Sequence, residues 1–304
     1  MKKILLLALV ACSSKKTEAP PAPVKTMDLD TLVRACWTAQ SQGDVKALGD
    51  CYGEKVTVES PGAGFEPVTD KTKVLAAQSG MKHEFPDLEL KVQQVFIDGD
   101  HGVAIVRLSG KARSGTPIGV LGAAAYEFAG GKISHEQDFF DSHTIKTQLE
   151  GKPGARGWAQ DAAIPPSADP ADPKGVELIK DFDAKFSAHD TKALGDLLAD
   201  NVIWSDQSEA EDWNKTQFIT DRNNGIGAFP DIKISSGKIW ASGAYVIEQG
   251  AIEGTNNGSL PGLNPTHKPI SVPFIAVYQL RDHKILHAWV FEQGAAITQQ
   301  LGLK

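Results

Sequence analysis

The chain has 304 residues, 41% hydrophobic and 23% charged, enough for two domains that each bury a core. A formal net charge of −7, with no basic stripe interleaved with aromatics, repels phosphate backbones and argues against nucleic acid as a partner. No P-loop, dinucleotide fingerprint or nucleophile elbow appears, so no cofactor is expected.

Met1-Lys2-Lys3 gives a positive start, and Ile4 to Val10 is apolar but far short of the ~20 residues a membrane-crossing helix takes. Leu9-Val10-Ala11-Cys12 follows and resembles the lipobox of bacterial lipoproteins. The resemblance implies a signal peptide over 1–11 and lipidation at Cys12. It also implies, with Ser13 next, an exported protein anchored to the cell envelope, at the periplasmic face of the outer membrane. Residues 12–26 read as a Pro-rich tether.

The rest of the chain is written twice. Asp44-Val45-Lys46-Ala47-Leu48-Gly49-Asp50 returns as Asp190-Thr191-Lys192-Ala193-Leu194-Gly195-Asp196, and Phe85-Pro86-Asp87 as Phe229-Pro230-Asp231. Lys132-Ile133-Ser134-His135 returns as Lys284-Ile285-Leu286-His287, and Gln148-Leu149 as Gln300-Leu301. The boundaries expected are 27–150 for domain 1, a Pro- and Gly-rich linker over 151–173, and 174–304 for domain 2. Trp158, the linker's one large apolar residue, is expected to pack on a domain surface. Copy two is longer around Asn256 to His267, which reads as an enlarged hairpin loop.

Within each copy, Leu29, Leu32, Val33, Cys36 and Trp37 fall at helical spacing, as do Val176, Ile179, Phe182 and Phe186. Asp44 and Asp190 are placed to cap a short second helix, and a third is expected over Lys71 to Gly80 and Asn214 to Asn223. Four alternating runs close copy one: Leu88 to Ile97, Val103 to Gly110, Gly119 to Phe128 and Ile133 to Phe140. The class is α+β, with a curved antiparallel sheet packed on N-terminal helices in each copy. Cys36 and Cys51 read either as a disulfide between adjacent helices or as buried free thiols.

This order of elements, with Phe-Pro-Asp before the sheet and Gly-Lys-Ile-x-His…Asp-x₆-Gln-Leu after it, resembles the SnoaL-like branch of the NTF2-like superfamily. The resemblance implies two tandem cones, each with a pocket at its open end. It also implies a general acid/base aspartate at Asp141, since a carboxylate in an apolar pocket holds its proton into the useful range. His83 is a second catalytic candidate. On the last strand His135, Gln137 and Phe139 share the face of Asp141 and are candidate ligand contacts. In copy two the corresponding face carries His287 and Trp289, joined by Trp204, Trp240 and Tyr278 from other strands, and Gln293 stands where copy one has Asp141. A metal site is not expected, because His135 and Asp141 lie about 20 Å apart along a strand.

The leading expectation is a membrane-tethered module that binds a small apolar or amphipathic molecule. A cyclase or isomerase acting through Asp141 is the alternative, and an envelope scaffold built on an intramolecular pseudo-dimer, or on a homo-oligomer, is a further one.

Overall fold

A computed structural model describes residues 28–152, 156–157, 164–167, 169–259 and 264–303. Cys12, with the segments expected as signal peptide and tether, and Trp158 lie outside them. No helix among the described residues is long and apolar enough to cross a membrane.

Domain 1 runs α1 (Leu29–Gln42), α2 (Val45–Cys51), β1 (Tyr52–Glu59), α3 (Lys71–Glu84), β2 (Glu89–Asp98), β3 (His101–Lys111), β4 (Pro117–Ala129), β5 (Lys132–Phe139) and α4 (Ser142–Leu149). Domain 2 repeats it as α5 (Pro173–Ser187), α6 (Thr191–Asp196), β6 (Leu198–Asp206), α7 (Lys215–Ala228), β7 (Lys233–Ser242), β8 (Tyr245–Thr255), β9 (Pro269–Arg281), β10 (Lys284–Phe291) and α8 (Ala296–Leu301). The sheets are ordered β1-β5-β4-β3-β2 and β6-β10-β9-β8-β7. They are antiparallel except at one edge, where β1 pairs parallel with β5 and β6 with β10.

The residues that recur between the copies have structural work to do. Asp44 and Asp190 cap α2 and α6 by accepting from Ala47 N at 3.0 Å and Ala193 N at 2.9 Å. The aspartate of each Phe-Pro-Asp accepts a backbone N–H at the far end of the neighbouring strand: Asp87 from Lys111 and Asp231 from Thr255, both at 2.6 Å. Gln148 and Gln300 each clamp a strand by bonding both the N–H and the carbonyl of one residue, Gly119 and Ser271 respectively. These bonds satisfy polar backbone at strand ends that the ladder leaves open.

Cys36 and Cys51 form a disulfide between α1 and the end of α2, with a Cα separation of 5.9 Å. Of the two readings left by the sequence, the crosslink is the one found. Closing a loop of this length removes unfolded-state entropy worth about 3 kcal/mol in the chain-entropy picture.

Each sheet buries both faces. The inner faces pack on the helices of their own domain. The outer faces pack on each other, with Phe96, Ile105, Leu121 and Phe139 of domain 1 against Trp240, Ile247, Ile275, Trp289 and Phe291 of domain 2. Burial on both faces is why β4 is apolar almost without alternation. The turns after the two last strands also clasp reciprocally. Asp141 accepts from Gly294 N at 2.9 Å, while Gln293 donates to Phe140 O at 3.0 Å and accepts from Ser142 N at 3.2 Å.

Candidate functional site

The open end of domain 2 holds a cavity of about 220 Å³ between α5, α7, α8 and the inner face of the sheet. Helical spacing aims Phe182 and Phe186 of α5 inward, and Phe218 of α7 meets Trp204 of β6 with ring centroids 4.2 Å apart. Phe182 lies 5.8 Å from Trp204 and 6.2 Å from Tyr278 of β9, so four elements contribute one continuous aromatic wall. Trp213, Phe229 and Phe274 complete it.

Polar groups gather on one side. Asp206, Glu209, Asp221, Arg222 and Glu292 line the cavity, and Arg222 is the one basic side chain among the described lining residues. Arg222 pairs with Asp221, and its guanidinium carbon sits 5.3 Å from the ring centre of Phe218 and 5.6 Å from that of Phe186. Asp206 accepts from the Ser208 N–H at 2.9 Å and from the Ser208 hydroxyl at 2.7 Å. Burial nevertheless raises the Asp206 carboxyl above the usual carboxylate range. Glu292 makes no hydrogen bond among the described residues, and burial, reinforced by the charge of Asp206, pushes its carboxyl well above that range. The linker holds this side in place: Arg156 is 4% exposed, pairs with Asp212 and donates to the carbonyls of Asp206 and Glu209.

Beneath the cavity, Ser236 Oγ lies 2.7 Å from Asp183 and 3.1 Å from Glu248, and Tyr278 donates its hydroxyl to Glu248 at 2.9 Å. Burial raises Asp183 to about 6 and Glu248 to about 8, the nearby Asp183 charge adding to the second.

Domain 1 has a cavity of about 260 Å³ with a different chemistry. Trp37, Met81 and Phe140 give it apolar walls, Gln40 and Gln78 are bonded to each other there, and Asp138 lines it. Asp138 Oδ1 is buried and without a hydrogen-bond partner. Two residues earlier on the same strand face, Glu136 is 2% exposed and accepts from the Tyr52 hydroxyl at 2.7 Å. Burial lifts Glu136 to about 7; burial and the Glu136 charge push Asp138 well above its ordinary value.

Several sequence-derived site residues are not where they were expected. A β-bulge in β5 skips Ser134, so Phe128 pairs with Ile133 while Glu127 pairs with His135. Ile133 faces the helices, but beyond the bulge the inward residues are Glu136 and Asp138, and Phe139 faces the other sheet. β10 has the same irregularity between Ile285 and His287, and β7 has one between Ser236 and Lys238. Trp289 and Trp240 therefore belong to the core between the sheets, not to a pocket. His287 stacks on Trp289 and bonds Ser205 Oγ at 2.8 Å, and burial lowers it to about 4. His135 and Gln137 both bond Glu59 at 2.8 Å and face a shallow recess beside Lys238. Asp141 caps α4, accepting from Thr144 N at 2.7 Å, and does not line the cavity of domain 1. His83 is exposed on α3 and bonded to Arg113, away from that cavity. Trp204 and Tyr278 do line the domain 2 cavity, because both lie on inward faces.

Two family models match the chain in tandem, a SnoaL-like domain over residues 33–136 and a SnoaL-like polyketide cyclase over 177–301. The chain belongs to the SnoaL-like family, with two NTF2-like domains in sequence. Solved structures align with one domain at a time. A protein from Jannaschia sp. CCS1 described as a SnoaL-like polyketide cyclase is 16% identical, with a TM-score of 0.41 over 46% of this chain and 99% of its own. IdmH from Streptomyces antibioticus, described as a polyketide cyclase, is 18% identical, with a TM-score of 0.39 over 43% and 99%. An LEH-like epoxide hydrolase of M. tuberculosis is 16% identical, with a TM-score of 0.36 over 40% and 90%. No curated protein sequence matches the chain.

Proposed function

We propose that domain 2 is a binding module for a small apolar or amphipathic molecule, carried at a membrane surface by a lipid anchor at Cys12. The observation that carries the pocket reading is the aromatic cavity of about 220 Å³, open at one end and walled by Trp204, Phe218, Phe182 and Tyr278. An engineered apolar cavity of about 150 Å³ holds benzene, so this one suits a ligand of roughly ten non-hydrogen atoms. Aromatic faces supply most of the attraction to such a molecule, and the acidic side fixes its orientation.

In the test, the full chain is recovered from the membrane fraction and titrated with small aromatic and alicyclic compounds, binding being read by tryptophan fluorescence and calorimetry. Saturable binding that weakens at least about tenfold in Trp204→Ala is expected, since the substitution removes a large contact surface. Recovery in the soluble fraction counts against the anchor. Absence of saturable binding by every compound class counts against the pocket.

A second reading, acid/base chemistry in domain 1, is favoured by one observation, the unpartnered Asp138 Oδ1 at the cavity wall. It moves the sequence-derived acid/base role from Asp141 to Asp138, with Glu136 and Tyr52 sharing the proton network behind it. Asp138→Asn is then expected to remove turnover of an enolisable ketone or ester at unchanged melting temperature, by a factor of about 10² or more. Equal turnover in the two proteins eliminates the reading.

A further inference from the structure

We propose that the domain 2 cavity selects an organic cation, a quaternary or protonated amine bearing apolar substituents. The inference rests on the reading of that cavity as a ligand site and names the class of ligand it takes. Two independent features converge on it. The first is the aromatic wall: Trp204, Phe218 and Phe182 enclose the space, and the negative faces of such rings attract a desolvated cation. The protein uses that attraction once already, with Arg222 above Phe186 and Phe218.

The second feature is the imbalance of charge on the polar side. Four carboxyl groups line the cavity, and the single basic side chain there, Arg222, is engaged by Asp221. Glu292 is left without a hydrogen-bond partner among the described residues, in a lining that also includes the apolar Val290, Val272 and Ile270. Glu292 is half-buried, and a cation beside such an unpartnered carboxyl offsets its partial loss of hydration. An anionic ligand would meet the same carboxyl groups unfavourably, and a neutral one would leave Glu292 as it is.

Proton linkage distinguishes this proposal from simple hydrophobic binding. Burial and the Asp206 charge both raise the Glu292 carboxyl well above the usual carboxylate range, which favours its protonated form. The other charged groups acting on it are Glu209 from the loop after β6, Arg222 from α7 and Asp141 from the domain 1 clasp; Arg222 alone favours ionisation. Asp221 on α7 and Arg156 with Asp212 lie on the same side of the cavity, each engaged in its own ion pair. A bound cation favours the ionised form, so Glu292 releases its proton as the complex forms. Affinity for a cation must then increase with pH.

The experiment compares benzyltrimethylammonium, whose charge does not titrate, with neopentylbenzene, its uncharged carbon isostere, on the full chain. At pH 8 the cation is expected to bind about tenfold or more tightly than the isostere. That preference should shrink toward pH 5 and fall several-fold in Glu292→Gln, the part owed to the aromatic rings remaining, with the isostere binding equally at every pH. The pH series on the unmodified protein is independent of whether the variant folds. If the isostere binds as well as the cation throughout, cation selection is overturned and the apolar pocket stands. If neither compound binds, the pocket reading itself fails.

Discussion

Between about pH 6.5 and 8 the folded chain is expected to lose stability, and Glu248→Gln is expected to reduce that loss by about 1.4 kcal/mol per pH unit. Glu248 is fully buried and its carboxyl is raised to about 8, with Asp183 beside it at about 6. A carboxyl whose pKa is higher in the folded than in the unfolded chain keeps its proton on folding, so folding is favoured at low pH. That contribution is complete below the unfolded value and disappears as pH rises through the folded one. For Glu248 the whole span, from 4.5 to about 8, is on the order of 5 kcal/mol. Asp138 and Glu292 act in the same direction in the two domains. His287 acts oppositely: held neutral down to about 4 by burial, it adds stability as pH rises from there to its ordinary 6.5. His287 offsets only part of the carboxyl effect below pH 6.5, and above it the carboxyl groups act alone. Glutamine mimics the protonated acid and can still accept from Tyr278, so the variant isolates the titration from the packing. Urea midpoints measured across the range provide the check. A stability that rises with pH above 6.5, or a slope identical in Glu248→Gln, contradicts the assignment.

The duplication, the order of elements and the caps at Asp44 and Asp190 were legible in the sequence because they depend on local chemistry and on recurrence. The pocket residues were not, and the cause is specific. Strand alternation assigns His135, Gln137 and Phe139 to the face of Ile133, but the bulge at Ser134 reverses the face of every later residue. Apolar content cannot reveal that reversal when both faces of the sheet are buried, one against helices and one against the other sheet. Trp289 is as apolar as a pocket residue should be, and it fills the intersheet core instead. Alternation assigns Glu136 and Asp138 to the opposite face for the same reason. The difference between Asp141 and Gln293 has a structural origin. The two positions face each other across the domain boundary, one accepting from backbone N–H and the other both donating and accepting. Identical side chains would not complete that exchange.

Asp141→Ala is expected to destabilise the chain by about 3–4 kcal/mol. Asp141 is 2% exposed, and its carboxylate serves three backbone donors. Oδ2 accepts from Thr144 N at 2.7 Å; Oδ1 accepts from Gly294 N at 2.9 Å and more weakly from His143 N at 3.4 Å. Loss of an N-terminal cap costs about 1 kcal/mol, and each buried N–H left without an acceptor adds about 1–3. Asn keeps one oxygen and turns an amide donor toward the other site. Asp141→Asn should therefore retain the Gly294 bond or the Thr144 bond but not both, at a cost of about 1–2 kcal/mol. A catalytic Asp141 predicts the reverse pattern, with stability preserved in the Asn variant and turnover lost. Thermal and urea unfolding of the two variants separates these accounts directly. Asp141→Ala unfolding at the midpoint of the unmodified chain would remove the capping role. The graded loss, Ala below Asn below Asp, would place this aspartate among the residues that join the domains.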